Sequence, residues 1–584
     1  MEQYNVTREN MRIMYNVPIE MDDGIVLRAN VYQPMKEGAY PVVFSYGIYG
    51  KDFACQEGWP LQWKKMVEDF PEVVVGSSNM HQSWEVVDPE KWCCDDYVVV
   101  RIDSRGSGNS PGYLDPMSKR EQQDIYNCVE WMAVQPWCTG KIGIIGISYY
   151  ACSAWLAAQT QPPHLTAMVV WEGHSDIYRD CLYHGGILSN FEIYWYNNMA
   201  HRVQYGIGEK GWHSQVTGLP VAGDVTLTDR ELMDNRVDFC QVIRDNPLAT
   251  APEHQERITD FSKVKVPFLS SGNWGGQGVH LRGNVEGFMR SASKEKYLEI
   301  HDREHWTHFY TNYGLGVQKK FFNYYLKGEQ NGWTDQDPVQ LNIRHVDGTV
   351  ALRGEKEWPI ARTQYVKYYL DPKHLELVTE EPTSTGTLTY NAQEDGITFM
   401  TPPLKKDTEI TGHSLTKLFV SSATKDADLY LILRVFTPDM KEVTFQGALD
   451  PHTPISQGWQ RLSHRKLDME RTTEFRPFLA HDEIQYVKPG EVVEVLSEIQ
   501  PTCIVVPKGY RIALTIRGKD YVSPGVEPAF PPNWENPMTG CAQILHIDRL
   551  STPLSIYGGD VTLHFEKGKM PYLQLPIIPE KKGE

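Results

Sequence analysis

Residues 140–152 read Gly-Lys-Ile-Gly-Ile-Ile-Gly-Ile-Ser-Tyr-Tyr-Ala-Cys. A short apolar strand runs into a Gly-x-Ser-x turn, and an alanine-rich helix follows. This is the shape of a nucleophile elbow, a strand-to-helix turn tight enough to expose a serine hydroxyl beside a general base. Ser148 is therefore the residue to explain. The second glycine of the usual Gly-x-Ser-x-Gly pattern is replaced by Tyr150. Gly-x-Ser alone is common by chance, so the flanks carry the reading. Ile142–Ile147 can form a buried strand, and Ala151–Gln159 has helical composition with small residues that allow close packing.

The elements around this turn extend the pattern. Ile25–Tyr32, Tyr40–Tyr46, Tyr97–Asp103, Leu165–Trp171, Val266–Ser271 and Tyr297–Ile300 read as strands. Ser118–Gln135 reads as a helix with Ile125, Val129 and Met132 near a 3.6-residue period. Strands interleaved with helices imply an α/β fold with a parallel sheet and a site at the carboxyl ends of its strands. Between Trp171 and Val266 lies a stretch rich in aromatics and amides, including Phe191–Asn198 and Gly206–Trp212, which a helical cap over that edge would explain. From about residue 338 the pattern changes to short strand-like runs between Gly, Pro and Asp turns, beginning with Val339–His345 and ending with Val561–Phe565. That is the pattern of an all-β sandwich. The expected organisation is a first domain of residues 1–176 and 263–337, a cap at 177–262 and a sandwich at 338–584.

Composition narrows the function. With 584 residues, 41% hydrophobic and 23% charged, the chain is long enough for two or three domains of ordinary globular type. A net charge of −18 argues against nonspecific binding to nucleic acid or anionic membranes. No run of about 18 apolar residues offers a membrane span, and Met1–Arg12 lacks an apolar signal core. The ten cysteines are scattered, and none forms a Cys-x-x-Cys metal-ligand pair. These features fit reduced thiols and a cytoplasmic protein. No metal site or nucleotide cradle is evident, so no cofactor is expected. The oligomeric state is left open, a homodimer included.

Four segments together resemble the CocE/NonD-type hydrolases, the cocaine esterase and X-prolyl dipeptidyl-peptidase family, over nearly the whole chain. Asp103-Ser-Arg-Gly-Ser-Gly-Asn-Ser-Pro-Gly112 resembles the family's Asp-x-Arg-Gly-x-Gly-x-Ser-x-Gly loop, and Gly146-Ile-Ser-Tyr149 its elbow. Tyr49-Gly-Lys-Asp52 is similar to its Pro-Tyr-x-Lys segment, and Phe321–Gly328 to its helix ending in Leu-Lys/Arg-Gly. The resemblance implies an α/β-hydrolase domain with an inserted helical cap, followed by a jelly-roll sandwich. It makes Ser148 the nucleophile. The backbone N–H of Tyr149 and the phenol of Tyr49 become the oxyanion donors that a tetrahedral intermediate needs.

The base should follow a late strand. Tyr297–His308 offers His301, His305 and His308. Laying the family's strand-then-Gly-Pro-Trp-x-His pattern over this stretch puts the base at His305, with His308 the alternative. The family's acid lies in a Gly-Trp-x-Asp segment, but here Ser271–Gln277 carries Gly275 at that place, and no Asp or Glu occurs between Lys265 and Gly283. Two explanations follow. The acid has moved to the end of the strand after the elbow helix, where Glu172 is favoured over Asp176, or the site works as a Ser–His dyad. Asp103 and Arg105 are expected to fix their loop by a mutual ion pair.

The leading function is hydrolysis of an ester or amide of a small-molecule acyl substrate. An X-prolyl aminopeptidase would need carboxylates to hold a substrate ammonium, for which Glu172, Asp180 and Glu192 are available. An acyltransferase or cyclase would pass the same acyl group to a hydroxyl or amine, and a noncatalytic binder would use the sandwich as its ligand module.

Overall fold

The computed structural model describes residues 1–524 and 544–579. The chain enters through β1 (Tyr4–Thr7), β2 (Arg12–Glu20) and β3 (Val26–Gln33). It then builds β4 (Tyr40–Gly47), β5 (Val98–Asp103), β6 (Cys138–Ile147) and β7 (Leu165–Trp171). A small hairpin, β8 (Tyr183–His184) and β9 (Ile187–Leu188), interrupts the series before β10 (Phe268–Asn273), β11 (Lys296–His301), β12 (Val339–Arg344) and β13 (Val350–Glu355). All except the hairpin form one sheet, in the order β1-β2-β3-β5-β4-β6-β7-β10-β11-β12-β13. The pairings from β5 through β12 are parallel, and antiparallel strands finish both ends. The central strands are buried on both faces, as a helix-covered parallel sheet requires. Ile144, Met168 and Val170 fill one side with the helix residues Val129 and Trp155; Ile145, Ile147 and Val169 fill the other with Phe321 and Phe322. Each such side chain contributes roughly 1.5–3 kcal/mol on burial.

Val339–His345 was expected to open the sandwich, yet Val339–Arg344 pairs in parallel with β11, so the sheet of the first domain runs on to Glu355. An alternating strand can serve any apolar layer, and here Val339, Leu341 and Ile343 pack on Trp274, Ile300 and Trp358. Among the described residues, the remaining strands form a separate eleven-stranded all-β sheet whose longest members, Thr408–Ser422 and Val493–Val506, pair antiparallel around a bulge at Gly412–Ser414. Its core gathers Leu418, Leu431, Leu514 and Leu563.

Residues 177–262 do lie between β7 and β10, but as short turns of helix rather than long rods. The longest of its helices is Phe239–Asp245, with seven residues. Bulky aromatics are packed inside it, and their polar atoms bond backbone carbonyls, as Tyr178 does with Pro247, Tyr183 with Ile243 and Tyr196 with Val237. The nine described cysteines are free thiols, and Cys541 lies outside the described residues. Among the described residues no helix is long and apolar enough to cross a membrane.

Candidate active site

The elbow is built by backbone strain. Ser148 has φ +54° and ψ −117°, a conformation that a non-glycine residue holds only when its surroundings impose it. The imposition comes from both sides. Ser148 N–H donates to the carbonyls of Trp171 and Glu172 at 3.2 and 3.1 Å, and Ile147 N–H to Glu85 O at 2.9 Å. Tyr150, in place of the second glycine, lies over Gly146: a Cβ there would come within 2.3 Å of the Tyr150 Cβ. The glycine before the serine is thus required by the tyrosine after it.

Ser148 Oγ lies 3.2 Å from Nε2 of His280. The expected base, His305, is not the histidine at hydrogen-bond distance from Oγ. His280 caps the start of the helix Leu281–Arg290, just beyond the loop that replaces the family's acid segment. The stretch from Lys265 to Gly283 holds no carboxylate, but it holds this histidine. Its imidazole is held well below the usual range, first by burial and then by the positive charge of His305, so it is neutral and can accept a proton.

His305 stands beside it, its ring 5.4 Å from that of His280 and inclined by 14°. Both its nitrogens face carboxylates. Nε2 donates to Glu85 Oε1 at 2.8 Å, and Nδ1 lies 3.5 Å from Glu172 Oε2. Glu172 also accepts from His301 Nε2 at 2.9 Å and from Asn273 Nδ2 at 3.2 Å, and His301 Nδ1 donates to Glu299 at 2.9 Å. The result is a buried alternating row of acid and imidazole: Glu85, His305, Glu172, His301, Glu299. Glu172 follows β7 directly with φ +47°. The structure therefore brings Ser148, Glu85, His280 and His305 to one pocket, with Glu172 and Glu299 in the row behind it; sequence reasoning did not assign Glu85, His280 or Glu299.

Other expected residues fall elsewhere. His308 packs against Phe70 and His301, with Nε2 3.7 Å from Asp302. Asp176 accepts from Arg179 at 2.8 Å and from its backbone N–H at 3.1 Å, a loop brace away from the histidines. Asp180 is engaged by Arg282 at 2.8 Å, and Glu192 accepts from Cys181 Sγ at 3.1 Å with burial raising its carboxyl to about 7. The expected Asp103–Arg105 pair is replaced by Asp103 with Lys51 Nζ at 3.0 Å and Arg105 with Asp124 at 2.7 Å. Asp103 points back into its own loop, where it accepts from the N–H groups of Lys51 and Asn109, while Arg105 reaches the helix Lys119–Ala133.

The phenol of Tyr49 accepts a hydrogen bond from Trp195 Nε1 at 2.9 Å, and burial pushes its pKa far above the ordinary value, so its O–H remains a fixed donor. Tyr149 begins the elbow helix, where the first N–H groups have no acceptor within the helix. Its own phenol donates to Glu121 at 2.6 Å, which locks the turn. Tyr49, Glu85, Ser148, His280 and His305 line one pocket with Trp59, Trp84, Trp195 and Trp306, and Leu449 enters it from the sandwich.

Gly275 explains the missing acid. A Cβ there would stand 2.3 Å from Gly447 Cα, because the sandwich backbone passes directly over it and Ala448 N–H donates to Gly275 O at 3.1 Å. No carboxylate fits at that place.

The X-Pro dipeptidyl-peptidase S15 family matches residues 23–310, and the X-Pro dipeptidyl-peptidase C-terminal non-catalytic domain matches residues 331–538. A crystal structure described as a CocE/NonD family hydrolase of Staphylococcus aureus is 30% identical, covers 97% of this chain and 94% of its own, and superposes with a TM-score of 0.83. The cocaine esterase of Rhodococcus sp. is 21% identical over 88% of this chain and 92% of its own length. An α-amino acid ester hydrolase shares the fold, with a TM-score of 0.68 at 15% identity.

Proposed function

On the premise that this chain belongs to the CocE/NonD family of hydrolases and is a serine hydrolase, we propose that it cleaves a small-molecule ester, or a comparably reactive amide, through an acyl-enzyme on Ser148. The carrying observation is the strained Ser148 with its Oγ 3.2 Å from a neutral imidazole nitrogen of His280. His280 takes the serine proton as Oγ attacks the acyl carbon. The oxyanion that forms meets the Tyr49 O–H and the Tyr149 N–H. Collapse expels the alcohol or amine, which receives the proton from His280, and water then releases the acid by the same steps in reverse. His305 and Glu172 support this step. Two parallel rings this close titrate as a unit, so as His280 gains a proton His305 can yield its own toward Glu85 or Glu172, and the cavity never carries two imidazolium ions.

The aromatic lining favours an apolar or aromatic acyl group. Ester chemistry is favoured over X-prolyl peptide cleavage because Glu172 and Asp180 are engaged by His301 and Arg282, and burial raises the Glu192 carboxyl to about 7, which weakens it as a partner for a substrate ammonium. The enclosed, tryptophan-walled cavity also suits capture of the acyl group by an alcohol or amine, which product analysis with added alcohol would reveal. The free cysteines support a cytoplasmic site of action.

A fluorophosphonate probe tests the assignment. Labelling should be lost in Ser148→Ala and fall by several orders of magnitude, on the order of 10⁴-fold, in His280→Ala. Glu172→Gln should slow it strongly and Asp176→Asn hardly at all. If His305→Ala abolishes labelling while His280→Ala keeps it, the base is His305 with Glu172 as its orienting acid. If folded wild-type protein is not labelled, the acyl-enzyme reading falls.

A further inference from the structure

Glu172, His280 and His305 come from three separate parts of the chain, yet one ring nitrogen of each histidine and one carboxylate oxygen lie within 4.8 Å of one another. All three side chains are buried, at 0%, 4% and 4% exposure. Glu172 Oε2 and His305 Nδ1 are both buried and face each other as an ion pair at 3.5 Å, with no closer hydrogen bond to either atom among the described residues. Zinc bound by imidazole at 2.0–2.1 Å in a tetrahedron sets its ligand atoms roughly 3.3 Å apart. The Glu172–His305 pair already has nearly that spacing, and so has Ser148 Oγ with His280 Nε2 at 3.2 Å. Two histidines and one glutamate with a fourth position left open is a donor set that zinc takes up readily. The outer atoms are also held: Glu85 fixes His305 Nε2, and Asn273 and His301 fix Glu172 Oε1, the kind of support that orients metal ligands.

We propose that Glu172, His280 and His305 form an inhibitory site for a borderline transition-metal ion, zinc(II) foremost, whose fourth position falls on Ser148. An ion seated there occupies the lone pair that His280 offers to the serine and blocks approach of an acyl carbon to Oγ. The enzyme would then be switched off by zinc and restored by its removal, with no change of fold. The site was invisible to motif reading because its ligands are 108 and 25 residues apart in the chain, with none of the short spacings that mark zinc motifs.

The donor set stands whether or not Ser148 is the nucleophile, so the test reads metal directly. Tag-free protein is titrated with cobalt(II), whose tetrahedral complexes absorb visible light, and zinc(II) is then added to displace it. One equivalent should bind to the wild type and to Ser148→Ala alike. Binding should weaken at least tenfold in His280→Gln and in Glu172→Gln, both close in shape to the native residue and checked for folding by circular dichroism. His564→Ala, in the sandwich, should bind as the wild type does. In the wild type, zinc should also block fluorophosphonate labelling and a chelator should restore it. Absence of a stoichiometric site, or equal binding by the wild type and both ligand variants, overturns the proposal. Metal binding without loss of labelling overturns the inhibitory role alone, and loss of labelling in zinc-free protein would concern the acyl-enzyme and not the metal.

Discussion

His305 and His301 each lie between two buried carboxylates, and that placement ties stability to pH. Burial alone would lower the pKa of His305, but Glu172 and Glu85 outweigh it and hold it at about 9. In the same way Glu299 and Glu172 overcome burial and hold His301 at about 10. Both histidines titrate near 6.5 when unfolded. Their raised values therefore contribute stability that is complete below about pH 6.5 and is lost as the pH rises through about 9 and 10. Glu172 has the opposite sign: burial would raise it, but His301 and His305 hold it at about 2, so its contribution is present above its ordinary range and lost as the pH falls toward 2. The wild type should thus lose thermal stability between pH 7 and pH 10. Glu299→Gln should start from a lower melting temperature at pH 7 and show a shallower alkaline fall. Parallel melting curves for the two proteins across that range would refute the role of the row. Little of this was legible beforehand. The three histidines at and after the end of β11 were visible as a group, but which nitrogen faces which acid depends on Glu85 and Glu172, and Glu85 belongs to no motif. His280 was missed because the loop holding it was judged by the acid it lacks.

The strands and the elbow were readable as elements because their patterns are local. Leu165–Trp171 was placed at its true bounds, and β6 began four residues earlier than expected, at Cys138 rather than Ile142, since Thr139-Gly-Lys141 breaks the apolar run without ending the backbone ladder. What local pattern cannot show is which layer an apolar face meets, and Val339–Arg344 joined the other sheet for that reason. Gly275 is a case of the same kind. In the sequence it is a missing acid; in the structure it is the place where one domain's backbone rests on another's loop. Gly275→Ala should destabilise the protein by about 1–3 kcal/mol, the usual cost of forcing extra volume into a packed site, as read by urea denaturation. Because the same loop leads into His280, fluorophosphonate labelling should slow as well. A variant as stable and as reactive as the wild type would mean that the Gly447–Ala448 segment yields freely.

At the scale of the whole molecule, three regions converge on the serine. The first domain supplies Ser148, His280 and His305, the segment 177–262 supplies Phe191, Trp195 and Met199, and the sandwich supplies Leu449. The sandwich is also bonded to the loops that hold both histidines: His305 N–H donates to Ala448 O at 3.2 Å, and Ala448 N–H to Gly275 O at 3.1 Å. A second pocket, which includes Asp450, Asp520 and Tyr521, shares His280 and Leu449 with the first. Leu449 therefore stands between the cavity that holds the nucleophile and a space walled largely by the sandwich. A side chain in that position limits how far an acyl chain can extend past the serine. Leu449→Ala should raise kcat/KM for a hexanoyl ester relative to the acetyl ester by roughly tenfold, the scale on which apolar pockets discriminate by a methylene or more. Truncation of a residue that merely packs would lower both rates by the same factor. A ratio unchanged across acyl lengths would place the acyl group elsewhere, on the side of Trp59 and Trp84, and would leave the second cavity outside the substrate's path.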